Sequence, residues 1–269
     1  CASCHDPKLG YTDGRAYPVG TGGAYLSAAP NAPSVIGTGF NGLTVEGQTE
    51  PELAPMFWDN RAESLEGQAL GPIKNPDEMR GASFTEEEIL DEVVARLGGI
   101  PEYVTLFEAA YGTDSVTSTN LAKGIAAFER TIVPVDSSFD RYMAGDDAAL
   151  TDSQIRGMHG FVYQGCAECH SGPMFSDYEL HNLKVPARPG EAAFDQDEFP
   201  EAEGGDFRTP TLRMVMRTAP YYHNGVFETI SEALDFYHNL NHHIEVDEAV
   251  EGAVEPAHSQ GDDLIAFLE

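Results

Sequence analysis

At 269 residues with 41% hydrophobic content, the chain is long enough for two modest domains that each bury a core, and nothing in its composition is fibrous or low-complexity. Acidic residues outnumber basic ones 45 to 15, which argues against a nucleic-acid partner and leaves two readings, steering of a basic protein partner or a solvated acidic surface. No run approaches the roughly 18 consecutive apolar residues that a membrane-spanning helix needs.

The chain opens on Cys1-Ala2-Ser3-Cys4-His5, and because the first residue already belongs to a motif, a leader and a short helix are expected before it. Residues 6–60 are punctuated by Gly20-Thr21-Gly22-Gly23 and Pro30-Asn31-Ala32-Pro33 and predict loop, a segment that a large buried group would organise. Thr85-Glu86-Glu87-Glu88 is a capping-box pattern opening a helix to about Leu97, and further helices are predicted near 101–111 and 118–131. Thr151-Asp152-Ser153-Gln154 caps a helix predicted to run directly into Cys166-Ala167-Glu168-Cys169-His170. The stretch 191–206 is acidic and aperiodic and predicts a surface loop. Thr229-Ile230-Ser231-Glu232 caps a helix to about Leu240, and a final helical pattern over 262–268 is expected to continue past the end of the chain. The order of cysteine motif, loop and helices occurs twice. The expectation is a mainly α protein of two cytochrome c-like domains, residues 1–140 and 141–269, joined near 134–150.

All four cysteines fall in two Cys-x-x-Cys-His units, with none left for a structural disulfide. In such a unit the two sulfurs form thioethers to a haem and the adjacent histidine becomes the proximal iron ligand. A zinc site or a redox dithiol is the competing reading, but neither requires a histidine directly after each pair, and the 165-residue separation of Cys1 from Cys166 is unlike a zinc ribbon. Two covalent c-type haems are therefore expected, on Cys1, Cys4 and His5 and on Cys166, Cys169 and His170. Covalent attachment follows export, so a periplasmic location is expected. No histidine lies between His5 and His159, which removes the commonest sixth ligand from the first domain and points to a five-coordinate first haem.

The segments Phe57-Trp58-Asp59-Asn60-Arg61-Ala62, Ser64 through Ile73, Asn75-Pro76-Asp77-Glu78-Met79, Gly165 through Pro173, Phe207-Arg208-Thr209-Pro210-Thr211-Leu212-Arg213 and Ala219-Pro220-Tyr221-Tyr222-His223-Asn224-Gly225 closely resemble the bacterial di-haem cytochrome c peroxidase and MauG family. The resemblance covers essentially the whole chain. It implies that Gln68, Pro72 and Glu78 line the distal face of the first haem, with Glu78 as the acid-base that moves a proton between the two peroxide oxygens. It implies that Trp58, the one tryptophan, relays electrons between the haems, and that a calcium ion is held by the Asn31 side chain and the backbone oxygens of Thr218 and Pro220. Tyr237 aligns where cytochrome-oxidising members carry a methionine, and so matches the MauG-like branch, in which tyrosine is the sixth ligand of the second haem; a phenolate favours higher iron oxidation states. Met214, Met216, His238, His242 and His243 are other nearby ligand candidates. His223 reads as a hydrogen-bonding group near the haem, and His159, His181 and His258 carry no assigned chemistry.

The expected activity is reduction of hydrogen peroxide at the first haem with electrons drawn through Trp58 and the second. Tyr237 leans toward MauG-like oxidation of a partner protein side chain; the alternative is a cytochrome-c peroxidase with a small cytochrome or copper-protein donor. One departure limits that lean: where the MauG pattern has a surface tryptophan before the second motif, this chain has Gln164, beside Tyr163, so the quinone-forming substrate of that branch is not carried over. A non-catalytic electron carrier would need a sixth ligand on the first haem, for which Met56 and Met79 are poor candidates.

Overall fold

The computed structural model describes residues 1–20, 22–26, 29–44, 47–48, 50, 53–188, 205–240 and 261–269. His242, His243, His258, the side chain of His238 and most of the acidic stretch 191–206 lie outside the described residues.

The described chain is mainly helical. In order come α1 (Leu65–Lys74), a π turn (Pro76–Arg80), α2 (Glu86–Gly98), α3 (Pro101–Tyr111), α4 (Ser118–Glu129), α5 (Ser138–Met143), α6 (Asp152–Tyr163), α7 (Cys166–Cys169), α8 (Ile230–Leu240) and α9 (Gly261–Leu268). A two-residue antiparallel ladder joins β1 (Leu180–His181) to β2 (Phe207–Arg208), with Leu180 opposite Arg208 and His181 opposite Phe207. The capping boxes at Thr85 and Thr151 form as expected, side chain to backbone in both directions, and Glu232 closes the same reciprocal pair with Thr229. Among the described residues of 6–60, the short turns are Pro7–Leu9 and Thr38–Phe40, and no α-helix forms.

One expectation fails at the second motif. The helix capped by Thr151 does not run into the cysteines: α6 ends at Tyr163, Gly165 turns into the left-handed region at φ 79°, and α7 starts anew at Cys166. The break re-aims the motif so that it no longer continues the axis of α6. Two helices, α1 and α5, form outside the helical segments expected from the sequence. α1 contains Pro72, a residue that usually stops a helix.

In the first part of the chain, Ala54, Met56, Leu65 and Ala126 form a buried cluster with Phe57 and Ala62 packed on it, joining α1 to α4. Leu65 is 1% exposed, burial worth about 2 kcal/mol. In the second, α6 and α9 pack very closely, which Gly157 permits: a β-carbon there would meet the Asp263 carbonyl oxygen at 2.0 Å. Beside them, Phe139, Phe161, Phe175 and Phe267 pack with ring centroids 5.2–6.3 Å apart, mostly edge to face. Arg213 ties the parts together, donating to both carboxylate oxygens of Asp140 at 2.8 and 3.0 Å and to the carbonyls of Pro134 and Pro173.

Candidate functional site

The two cysteine motifs adopt the same local geometry. In each, the histidine N–H donates to the carbonyl of the first cysteine at 2.9 Å, His5 to Cys1 and His170 to Cys166. His5 Nδ1 lies 3.0 Å from the Tyr11 carbonyl oxygen, and His170 Nδ1 lies 2.9 Å from that of Phe175. A carbonyl only accepts, so Nδ1 carries the hydrogen and Nε2 is left with a lone pair, the form that ligates a metal. Burial lowers the pKa of both imidazoles, which favours that neutral form. Both acceptor residues are aromatic and left-handed, Tyr11 at φ 59° and Phe175 at φ 54°. Bulky residues rarely sit there; the reversal is what turns each carbonyl back onto its histidine.

The second motif opens onto a mainly apolar cavity. Cys166, Cys169 and His170 line it together with Tyr237, and Trp58 contributes to the same wall. Apolar side chains from α6, α8 and α9, among them Phe161, Leu234 and Leu264, supply the dry surround. Burial pushes the Cys166 thiol up to about 11, the opposite of what a redox dithiol needs. It also raises the Tyr237 phenol, opposed in part by the nearby Tyr222 hydroxyl. A paired thiol and histidine set facing a phenol across an apolar slot fits a covalently held haem.

At the first motif, Cys1 is exposed and Cys4 and His5 are half-buried. α1 places Gln68 and Pro72 one turn apart on a common face. Asn75 ends α1 and caps the π turn that carries Glu78, and its Nδ2 donates to Glu78 Oε1 at 2.9 Å. Glu78 is reachable by solvent, yet crowding by protein atoms desolvates it and raises its carboxyl pKa, offset in part by Arg61 and by Asn75. Arg61 lies over the Phe57 ring, 3.7 Å from its centroid, and pairs with the fully buried Asp59 at 2.6 Å. Of the two methionines, Met56 is buried with its sulfur accepting from Asn41 Nδ2 at 3.4 Å, whereas Met79 is exposed.

Asn31 and Trp58 form a seam between the two parts. Trp58 Nε1 donates to the Asn31 carbonyl at 3.0 Å, and the Trp58 carbonyl accepts from the Arg208 N–H at 2.7 Å. Asn31 Nδ2 donates to the carbonyls of Pro220 at 3.1 Å and Tyr222 at 2.9 Å, while its Oδ1 is buried without a partner. Half a turn of that amide would set Oδ1 beside the Pro220 carbonyl, an oxygen pair of the kind calcium takes.

Other side chains surround the second motif, among them His181, to which the sequence assigns no chemistry. His181 lines the cavity and pairs with Asp177 at 2.9 Å; that carboxylate, with the nearby Cys169 sulfur, pushes it up to about 11. His223, also on the wall, stacks flat on Phe207 with centroids 3.6 Å apart, and burial pushes it down to about 3, so it is neutral. Arg208 is half-buried beside Trp58, and desolvation lowers it to about 10. Gln164 is buried at 7% exposure whereas Tyr163 stands out at 86%, so of the two it is the tyrosine that a partner protein can touch. Met214 is left-handed and exposed.

The chain is mainly helical, carries two such histidine-bearing motifs, and one of them opens onto an apolar cavity. The family model for di-haem cytochrome c peroxidase matches residues 1–148, and the chain belongs to that family. It is 34% identical over 239 residues to the cytochrome c551 peroxidase of Nitrosomonas europaea, covering 87% of this chain and 65% of that protein. It is also 34% identical over 245 residues to the methylamine utilization protein MauG of Methylorubrum extorquens, covering 88% and 62%. The chain thus spans a little under two thirds of these relatives. Among solved structures it matches a MauG-like protein associated with microbial copper homeostasis at TM-score 0.79 and 26% identity, over all of this chain and 82% of that one.

Proposed function

We propose that this chain is a di-haem peroxidase of two cytochrome c-like domains, residues 1–140 and 141–269, which reduces hydrogen peroxide at the N-terminal motif with electrons passed through the C-terminal one. The observation that carries the reading is the shared cavity: His170 and Tyr237 line it together, and Trp58 stands in its wall on the side of the first part of the chain. Covalent haem at each motif would supply the redox chemistry. Two electrons and two protons convert peroxide to two waters, and the residues of the chain manage the protons and the electron path.

Glu78 holds and returns a proton at its carboxyl, which desolvation keeps more readily protonated than a free carboxyl. The amide of Asn75 fixes one of its oxygens and leaves the other to exchange the proton. Gln68 and Pro72 shape the same face from α1. Trp58, held at its indole N–H by Asn31 and at its carbonyl by Arg208, is a rigid aromatic step between the two motifs. Asn31 with the carbonyls of Thr218 and Pro220 would hold calcium and so stiffen this seam. Tyr237 in place of a thioether supports the MauG-like variant, in which the electrons come from a side chain of a partner protein. The exposed Tyr163, three residues before Cys166, is the contact such a partner would use. Location in the periplasm follows from covalent haem; no described helix is long and apolar enough to cross a membrane.

Electron paramagnetic resonance of the oxidised holoprotein, before and after one equivalent of peroxide, tests the reading. One high-spin and one low-spin signal, both lost with peroxide and slow to return without a donor, are expected. Two low-spin signals indifferent to peroxide overturn it in favour of an electron carrier.

A further inference from the structure

Tyr222 is the side chain around the second motif whose placement most needs explaining. It is a bulky residue in the left-handed region at φ 67°, a backbone state that such residues hold only where the surroundings impose it. That turn sends its ring into the cavity that Tyr237 also lines, with the two ring centroids 6.0 Å apart. Phe227 and Phe236 clamp it edge-on, each at 5.3 Å. Its hydroxyl lies 3.2 Å from the Ala233 carbonyl oxygen. Ala233 is one helical turn before Tyr237 in α8, so that carbonyl is also the acceptor of the Tyr237 N–H in the helix ladder.

A tyrosine hydroxyl has one hydrogen to give. Donated to Ala233, it supplements a carbonyl already served by the helix. A phenolate bound to iron has lost its own proton and can only accept, and a hydrogen bond to an ionised oxygen is roughly twice as strong as one to a neutral carbonyl. We infer that Tyr222 is a positioning residue for the second haem: its hydroxyl turns from the Ala233 carbonyl to the Tyr237 oxygen, orients that ligand and weakens its donation to the iron. The inference rests on Tyr237 being the ligand. Withdrawing charge from the phenolate makes the ferric state less favoured, so Tyr222 raises the reduction potential of this haem relative to an unsupported phenolate. Phenylalanine in its place would keep the packing and lose the donor.

The experiment compares the holoprotein with its Tyr222→Phe and Tyr237→Phe variants, haem content being checked first. The readouts are resonance Raman modes of the phenolate, its charge-transfer band and the potential of the low-spin haem. Tyr237→Phe is expected to abolish the phenolate modes; if the parent never shows them, or they survive, the ligand reading falls and takes this inference with it. With those modes established, Tyr222→Phe is expected to move the charge-transfer band to longer wavelength and the potential to a more negative value. An unchanged band and potential overturn the role of Tyr222 alone and leave Tyr237 standing. If Tyr222→Phe does not take up haem, exchange of the parent into D2O decides: a shift of the phenolate modes is expected, and none overturns the inference.

Discussion

The surroundings of Cys1–His5 and of Cys166–His170 solve one problem identically and another in opposite ways. On the proximal side each uses a left-handed aromatic residue, Tyr11 or Phe175, to aim a carbonyl at Nδ1, so both histidines present the same nitrogen in the same state. Beyond the histidine they diverge. The second motif faces an apolar cavity that Tyr237 also lines, whereas the residues assigned to the first are Gln68, Pro72 and a carboxyl on a π turn, with Arg61 and Asn75 in attendance. A ligand that fills a coordination position suits storage and passage of electrons; a carboxyl that holds a proton near an open one suits breaking an O–O bond. On the proposed function, the two roles differ in the groups beyond the histidine, not in the two Cys-x-x-Cys-His motifs.

The sharpest way to break that comparison is to remove the proton carrier. Glu78→Gln keeps the shape and the Asn75 contact but not the titration, and peroxide consumption by the holoprotein is expected to fall by about 100-fold or more, with both haems attached. Stopped-flow mixing with peroxide measures it, and a rate within a factor of two or three of the parent would take Glu78 out of the mechanism. A second change addresses the other site only. Gly157→Ala drives a β-carbon onto the Asp263 carbonyl and must push α9 away, and α9 carries Leu264 and Leu268 in the cavity wall. A loss of about 1–3 kcal/mol in unfolding free energy is expected. The low-spin signal should broaden while the high-spin one stays, and equal disturbance of both would show that the two surroundings are mechanically one.

Much of this division was legible in the sequence, and the parts that were not have identifiable causes. Cysteine spacing gives both motifs, and Ser/Thr-x-x-Glu/Gln patterns give α2, α6 and the start of α8, because caps are local chemistry. α1 escapes because Pro72 and two glycines speak against a helix, and what holds it is Leu65 against Met56 and Ala126, contacts remote in sequence. The break at Gly165 was missed because a glycine between a helix and a motif does not say which way the chain turns. The proximal carbonyls are invisible for a stronger reason: Tyr11 and Phe175 are the wrong residue types for left-handed backbone, and only the packed fold compels it. Tyr222 is the same case.

Acid titration adds smaller effects of opposite sign, one inside the first region at Glu129 and one at the junction, where Asp140 meets Arg213. Glu129, at the end of α4, is pushed up to about 7 by burial, against the Thr38 hydroxyl at 3.4 Å. The folded chain then keeps a proton that the unfolded chain has released above about pH 4.5, so stability is greatest below that value. It declines as pH rises toward 7 and is level beyond. A decline of about 1–2 kcal/mol is expected across that window, and Glu129→Gln should flatten it in thermal melts collected from pH 4 to 8. A slope that survives the substitution would assign it to other acids.

Asp140 runs the other way. Arg213 holds its carboxyl down to about 2, helped by Ser137, so its contribution is complete above the ordinary value of 3.8 and is lost as pH falls through 2. The pair is partly open to water, and Arg213 would still have the Pro134 and Pro173 carbonyls if the carboxylate were removed. Asp140→Asn is therefore expected to cost only about 1 kcal/mol or less at neutral pH, and to flatten the acid limb of the stability profile below pH 4. Because Arg213 reaches from the segment after the second motif to α5, a larger loss at neutral pH would mean that the junction between the two regions, rather than the packing within each, sets the stability of the whole.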